Sequence, residues 1–249
     1  MNRGEPSILL VDDDIDICCN LSDILLDLGY RVDSANDGAT ALEMIRRSHY
    51  DVAVLDYKMP GMNGVTLTQE IRRLRPQMVS LLVTAHSGST TDEALAAGAW
   101  HVLPKPVDPR KLLRLLGQAM DQPLVLVVDD DRDLCANLWD LLRERGYRVG
   151  LAYDGEDAAG RLAEASFQVV LIDMKLPDGD GSEVFRKVCE VNPEARTVLI
   201  SGDPAGVGDL IGQILEEGAD AVCYKPFDVP KLLEAIQRLT TEPPGQDER

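Results

Sequence analysis

The sequence predicts an α/β protein of two tandem domains, each a parallel sheet covered by helices on both faces. Three observations carry this expectation. The chain has 249 residues, more than one small domain needs and enough for two of about 100–150 each. Long stretches of the first half return in the second. Short β-rich runs alternate throughout with segments of helical period.

The internal repeat comes first, because it decides how the rest is read. LLVDDDIDICCNLSDILLDLGYRV, from Leu9 to Val32, returns as LVVDDDRDLCANLWDLLRERGYRV, from Leu126 to Val149. DVAVLDYKMPGMNG, from Asp51 to Gly64, returns as QVVLIDMKLPDGDG, from Gln168 to Gly181. Asp12 maps to Asp129, Asp56 to Asp173 and Thr84 to Ser201, each by 117 positions, and Lys105 maps to Lys225 by 120. Three residues are therefore inserted between the last two landmarks. A period of this size exceeds the about 20–50 residues of a solenoid unit and marks a duplicated domain. The boundary falls at Asp121-Gln122-Pro123, where Pro123 cannot continue the helix before it. The expected domains are residues 5–120 and 124–241, with a disordered tail at 242–249.

In the first half the strand-like runs are residues 8–11, 31–34, 52–55, 79–83 and 100–103. Between the first two lies an amphipathic stretch, residues 15–28, apolar at Ile17, Leu21, Ile24, Leu25 and Leu28. Gly29 and its repeat Gly146 stand where a helix C-terminus favours positive φ. Nearly continuous apolar strands that alternate with helices imply a parallel sheet buried on both faces, five βα units per half.

Composition narrows the function classes. Apolar residues make up 45% and charged residues 27% of the chain, as in ordinary globular proteins and unlike disordered or fibrous ones. No apolar run approaches the about 20 residues needed to cross a bilayer. MNRGEPSILLVDDD closes its short apolar stretch with three acids, unlike a signal peptide. Five cysteines without metal-ligand or disulfide spacing favour a reducing, cytoplasmic setting. The net charge of −18 repels nucleic acid and anionic lipid, so neither is an expected direct partner. Residues 1–120 carry 12 basic and 16 acidic side chains, which leaves 13 and 27 for residues 121–249. Halves of such different charge are expected to face different partners.

In open parallel sheets functional groups gather beyond the carboxyl ends of the strands. Asp12 and Asp13 stand there after the first run, Asp56 after the third, Thr84 after the fourth and Lys105 after the fifth. Asp129, Asp130, Asp173, Ser201 and Lys225 repeat the set. Three carboxylates in one crevice repel and raise one another's pKa. A hard divalent cation removes that conflict, and Mg2+ takes a few carboxylate oxygens while keeping several waters. Asp14 and Asp131, directly before helices, read as N-caps without a catalytic role. A single acid pair would read the same way; its recurrence with an isolated Asp, a hydroxyl and a Lys points to a site.

Each half resembles a bacterial response-regulator receiver domain, and the two cover nearly the whole chain. The resemblance rests on VDDD, on LDYKMPGMNG and IDMKLPDGDG, on VTA and ISG, and on PKP and YKP, in that order. It implies a flavodoxin-like (βα)5 fold with sheet order 2-1-3-4-5. It also implies that Asp56 and Asp173 accept a phosphoryl group from a sensor histidine kinase or a histidine phosphotransfer protein. Mg2+ is the implied cofactor, with Asp13 and Asp130 as direct ligands and Asp12 and Asp129 acting mostly through water. Asp56, Asp173 and the backbone carbonyls of Lys58 and Lys175 complete that set. Thr84 and Ser201 would hydrogen-bond one phosphoryl oxygen, Lys105 and Lys225 would pair with another, and Lys105–Pro106 and Lys225–Pro226 would be cis. The chain would catalyse only its own phosphorylation and dephosphorylation, and so would not be an enzyme in the ordinary sense.

One departure from the family pattern stands out, beside positions where the family varies and places where the two halves differ. Val102 and Val222 replace the aromatic residue usual three positions before the lysine, which puts the output step in question. Trp100, two residues earlier and by strand alternation on the same face, is read either as its substitute or as a half-buried interface Trp. Lys58 and Lys175, two positions after the acceptors, either pair with a bound phosphoryl group and slow its hydrolysis or remain solvated. His86 and Asp203 differ between the halves, and SGDPAGVGDL holds the insertion in a glycine-rich loop. The resulting expectation is a two-component response regulator with two phosphoacceptor receivers that signals through protein contacts to a downstream effector, with room for a homodimer. The alternatives are that one receiver is a docking or dimerisation module, or that the chain is the receiver part of a larger effector protein.

Overall fold

Strands β1 (Ser7–Val11), β3 (Val52–Asp56) and β4 (Val79–Thr84) are buried from end to end, as their largely apolar composition favours in a sheet covered on both faces. The computed structural model in which they lie describes residues 5–85, 88–177, 179–202 and 208–241. The chain divides into two units, Met1–Gln122 and Pro123–Arg249. The contrast between His86 and Asp203, the body of the glycine-rich loop and the tail at 242–249 fall outside the described residues.

In the first unit β2 (Arg31–Ala35) and β5 (His101–Pro104) complete an all-parallel sheet of order β2-β1-β3-β4-β5. Strand alternation sorts its side chains into two layers. Leu9, Val11, Ala53 and Leu55 pack with α2 (Gly38–Arg47) and α3 (Gly64–Leu74), while Ile8, Leu10 and Val54 pack with α1 (Ile15–Asp27) and α5 (Pro109–Asp121). Helix α4 (Ser89–Ala96) follows β4 and buries only Ala94. Edge strand β2 is exposed at Arg31, Asp33 and Ser34, a polar composition that discourages pairing with another chain.

The second unit repeats the pattern with β6 (Leu124–Val128), β7 (Arg148–Ala152), β8 (Val169–Asp173), β11 (Arg196–Ser201) and β12 (Ala221–Tyr224) in the order β7-β6-β8-β11-β12. Its helices are α6 (Arg132–Glu144), α7 (Gly155–Glu164), α8 (Gly181–Val191), α9 (Gly208–Glu216) and α10 (Val229–Thr241). It also holds a feature the sequence reading did not anticipate, the two-stranded hairpin β9 (Lys175–Leu176) and β10 (Gly179–Asp180) directly after β8.

Local signals explain the element ends. Asp14 caps α1 by accepting from the Asp16 and Ile17 N–H groups, and Asp131 caps α6 through Asp133 and Leu134, as expected of acids at that position. Gly29 and Gly146, at φ +83° and +85°, reverse the chain after these helices, a conformation that side chains disfavour.

Two expectations need correction. Only Cys18 and Leu25 of α1 are buried, whereas Ile24 and Leu28 of the supposed apolar face are exposed. Apolar residues are spread around more of α1 than the single stripe that a helix buries against a sheet. Trp100 also lies before β5 and packs with the α1–α5 layer, while Val102 packs with the opposite layer. Strand alternation does not extend back past His101, so Trp100 does not stand beside Val102.

Gly64 and Gly181 open α3 and α8 where each helix presses against the end of the preceding long strand. A Cβ on Gly64 would overlap the Asp56 carbonyl oxygen, and one on Gly181 would collide with that of Asp173. Gly64→Ala should therefore lower the unfolding free energy of the first unit by about 1–3 kcal/mol, read by urea denaturation. An unchanged midpoint would contradict this close approach.

Candidate functional site

The parallel sheet brings the singled-out residues together at its carboxyl edge. Val11 pairs with Leu55 across β1 and β3, so Asp12, the next residue, stands beside Asp56, the last residue of β3. Thr84 ends β4, and its carbonyl accepts the Lys105 N–H at 2.8 Å. The second unit places Asp129, Asp173, Ser201 and Lys225 alike, with Lys225 N–H on the Ser201 carbonyl at 2.8 Å. Asp56, Asp173, Thr84 and Ser201 are thus the last residues of their strands, and in the first half both strands end one residue beyond the runs 52–55 and 79–83 that the sequence suggested. Both Lys–Pro peptide bonds, Lys105–Pro106 and Lys225–Pro226, are cis.

Carboxylate oxygens of Asp12, Asp13 and Asp56 lie within 4.8 Å of one another, and those of Asp129, Asp130 and Asp173 do the same. In each trio the first and last acids are buried and the middle one is exposed. Lys105 Nζ reaches Asp12 Oδ2 at 2.9 Å and Asp56 Oδ1 at 3.0 Å. Lys225 Nζ reaches Asp129 Oδ2 at 2.6 Å and Asp173 Oδ2 at 2.7 Å. One ammonium group thus separates two buried carboxylates that would otherwise repel.

Backbone donors hold the remaining carboxylate oxygens. The Asp14 N–H donates to Asp12 Oδ1 and the Asp131 N–H to Asp129 Oδ1, both at 3.0 Å. The Lys175 N–H donates to Asp173 Oδ1 at 3.2 Å, and the Lys58 N–H serves Asp56. The Lys58 and Lys175 side chains are exposed. Each acceptor loop is tied to the neighbouring strand, by Tyr57 N–H to the Val83 carbonyl and Met174 N–H to that of Ile200, both at 2.8 Å.

Burial pushes the pKa of Asp56 up, against the lowering effect of its Lys105 hydrogen bond, and the adjacent Asp12 adds to the rise. Burial likewise raises Asp129, partly offset by Lys225. For Lys105 and Lys225 burial works against the charge, but hydrogen bonds to the two carboxylates outweigh it and raise both lysines above their usual pKa. Each lysine is therefore a firm cation.

The repeated Cys18 and Cys135 also touch the site, a contact the sequence analysis did not single out. The thiol of Cys18 donates to the Asp12 carbonyl at 3.6 Å and that of Cys135 to the Asp129 carbonyl at 3.2 Å. Burial pushes the Cys135 pKa up to about 12 and also raises that of Cys18, so both remain donors. Their recurrence six residues after the first acid was the available signal. The halves differ beneath the site. In the first, a cavity of about 20 Å³ bordered by Asp12 and Asp56 is also lined by Val54, Val83 and Val107. The repeat carries the larger Leu171, Ile200 and Phe227 at those three places.

A model of the response regulator receiver domain matches residues 8–117 and again 125–237. A response regulator receiver protein of Anaeromyxobacter sp. (strain Fw109-5) is 34% identical over 238 residues, covering 94% of this chain and 95% of that protein. The transcriptional regulatory protein ZraR of Klebsiella oxytoca is 40% identical over 121 residues, which is 48% of this chain but only 27% of ZraR. Among solved structures, a CheY-like response regulator receiver domain protein from Methanospirillum hungatei JF-1 matches at 34% identity and a TM-score of 0.46, covering 47% of this chain and 95% of that one.

The lysine bridges generate a prediction that needs no ligand. Lys225→Met leaves Asp129 and Asp173 facing each other in a buried crevice. Breaking a fully buried pair costs about 3–5 kcal/mol; because Lys225 is a quarter exposed, the expected loss for the second unit at neutral pH in EDTA is smaller, about 1–3 kcal/mol. Thermal denaturation measures it, and an unaltered transition would show that the bridge contributes nothing.

Proposed function

The chain belongs to the response regulator receiver family, whose domain it carries twice in tandem, and from that premise we propose that Asp56 and Asp173 are both phosphoacceptors in two-component signalling. The observation that carries the reading is the lysine shared between a buried aspartate and its neighbour in each half, with an exposed third acid alongside. Such an arrangement holds one carboxylate ionised and oriented at the mouth of a crevice.

The donor set suits Mg2+. It consists of hard carboxylate oxygens, and one acid of each trio faces solvent, as befits an ion that keeps several waters. Asp13 and Asp130 would ligate directly, Asp12 and Asp129 mostly through water, and Asp56, Asp173 and the Lys58 and Lys175 carbonyls would complete the set. When bound, the ion supplies positive charge against the phosphoryl oxygens.

The chain's own residues do the rest. A carboxylate oxygen of Asp56 or Asp173 attacks phosphorus in line, and the bond from phosphorus to the donor's imidazole nitrogen breaks. The product is an acyl phosphate and a free imidazole. Catalysis of such a loose transfer rests on position and charge. Lys105 and Lys225, relieved of one carboxylate charge, pair with a phosphoryl oxygen. The Thr84 and Ser201 hydroxyls donate to another. The donor is a sensor histidine kinase or a histidine phosphotransfer protein. Output runs through protein contacts, with a net charge of −18 opposing nucleic acid as a direct partner. No helix among the described residues is long and apolar enough to cross a membrane, which accords with a cytoplasmic site of action.

Acetyl phosphate with Mg2+ should add two phosphoryl groups to the chain by intact-mass measurement. Asp56→Asn and Asp173→Asn should each remove one, and the double variant both. Failure of the wild type to gain mass, or continued gain by the double variant, would contradict the assignment. The exposed Lys58 and Lys175 ammonium groups are proposed to hinder the hydrolytic water. Lys58→Ala and Lys175→Ala should then shorten the phosphoryl half-life of their own domains, and unchanged half-lives would dismiss that role.

A further inference from the structure

Helix α4 of the first unit and its counterpart α9 in the second are held in place by different means. With the inserted residues counted, the two helices are offset by 120 positions, which sets Thr91 against Ile211, Glu93 against Gln213 and Ala94 against Ile214. Ile211 and Ile214 are buried and pack α9 into the layer that holds α7 and α8. Helix α4 buries Ala94 alone, and Gly88 at its N-cap offers no side chain to the first turn. A helix of 8 residues with one buried alanine has little apolar area of its own to fix it.

The acceptor loop supplies what α4 lacks. Tyr57, the residue after Asp56, is half-buried in the cluster that contains Ala94, Ala97 and Val102. Its hydroxyl donates to Glu93 Oε2 at 3.3 Å. Its N–H donates to the Val83 carbonyl at 2.8 Å. The root of this side chain is thus tied to β4 and its tip to α4. In the repeat Met174 stands in its place, buried and without a hydroxyl, and Gln213 replaces Glu93.

This link is direct and easily broken. Tyr57 lies between the acceptor and Lys58, whose carbonyl belongs to the proposed metal site, so adjustment of that loop to an ion and a phosphoryl group displaces the root of the ring. A hydrogen bond of 3.3 Å between exposed groups is longer than the usual O–H···O range and is lost on a small further displacement. Elements with few buried apolar contacts are the ones that open locally. Helix α4 is such an element, and α9 with its two isoleucines is held more firmly.

We propose that the Tyr57–Glu93 hydrogen bond is a latch that holds α4 on the acceptor loop while Asp56 is unmodified, and that phosphorylation of Asp56 opens it and loosens α4. Helix α9 has no such latch and does not respond to Asp173. The first receiver then displays its phosphorylation state through this helix, and the second carries a phosphoryl group without displaying it there. The proposal rests on the phosphoacceptor reading above and adds to it which half reports the event and through which side chain.

The test is amide hydrogen exchange of the full chain, followed by mass spectrometry on peptides that cover α4 and α9, before and after loading with acetyl phosphate and Mg2+. Asp173→Asn is the background for α4 and Asp56→Asn that for α9, so that each helix is read against one acceptor. Loading should speed exchange in α4 about threefold or more, the scale of one net hydrogen bond, and leave α9 unaltered. Tyr57→Phe keeps the ring and removes the hydroxyl. It should raise α4 exchange in the unmodified protein by a similar factor, shrink the further rise on loading, and gain the same mass from acetyl phosphate. Glu93→Met should do the same, while Glu93→Gln, which keeps an acceptor oxygen, should stay close to wild type. The Tyr57→Phe/Glu93→Met pair should exceed neither single variant, as expected of two ends of one bond. Circular dichroism melting checks that each variant folds. The proposal is overturned by α4 exchange that Tyr57→Phe leaves unchanged, by loading that leaves α4 unchanged, or by an α9 response as large as that of α4. A chain that gains no mass from acetyl phosphate overturns the phosphoacceptor reading and the coupling with it, whereas exchange in the unmodified variants still decides whether the bond holds α4.

Discussion

Each lysine that reaches back across its sheet to two buried aspartates carries the rest of the arrangement. Asp12 and Asp56 come together because β1 and β3 are parallel neighbours that end at the same edge, and Asp129 and Asp173 follow the same rule. Left alone, such pairs would protonate or splay apart. Lys105 and Lys225 prevent both, and they can do so because the next two strands deliver them to the same edge. The sheet order is therefore a condition of the chemistry as well as of the core. Gly64 and Gly181 tighten the arrangement by letting a helix start against the acceptor's own carbonyl.

Duplication has kept this centre and relaxed its surroundings. The three acids and the lysine of the site recur, Ser201 supplies the hydroxyl in place of Thr84, and the cysteine thiols beneath the acid pair recur as well. The packing around them differs. Val54, Val83 and Val107 leave a small cavity in the first unit, and Leu171, Ile200 and Phe227 stand in their places in the second. Tyr57, beside the first acceptor, extends its hydroxyl to Glu93 on α4 at 3.3 Å, whereas Met174 occupies that place in the repeat. Two sites of the same chemistry are thus set in different mechanical contexts.

Much of this was legible in the sequence because the repeat repeats its landmarks. Asp12, Asp56, Thr84 and Lys105 each end an apolar run, and a parallel sheet turns that one-dimensional pattern into a shared edge. Asp14 and Asp131 read correctly as caps from their place before a helix. The misreadings came where tertiary packing decides. Ile24 and Leu28 fit a helical apolar period, but α1 buries only the line through Cys18 and Leu25. Trp100 looked like a strand neighbour of Val102, yet the strand starts one residue after it. The hairpin after β8 carried no alternation long enough to notice, since its strands are two residues each.

The central claim is that each lysine-clamped acid trio is a working Mg2+ site in its own right. Calorimetric titration of the full chain with Mg2+ tests this directly. Two binding events per chain are expected, one lost in Asp13→Asn and the other in Asp130→Asn. A single event, none at millimolar Mg2+, or two that survive both substitutions would contradict it.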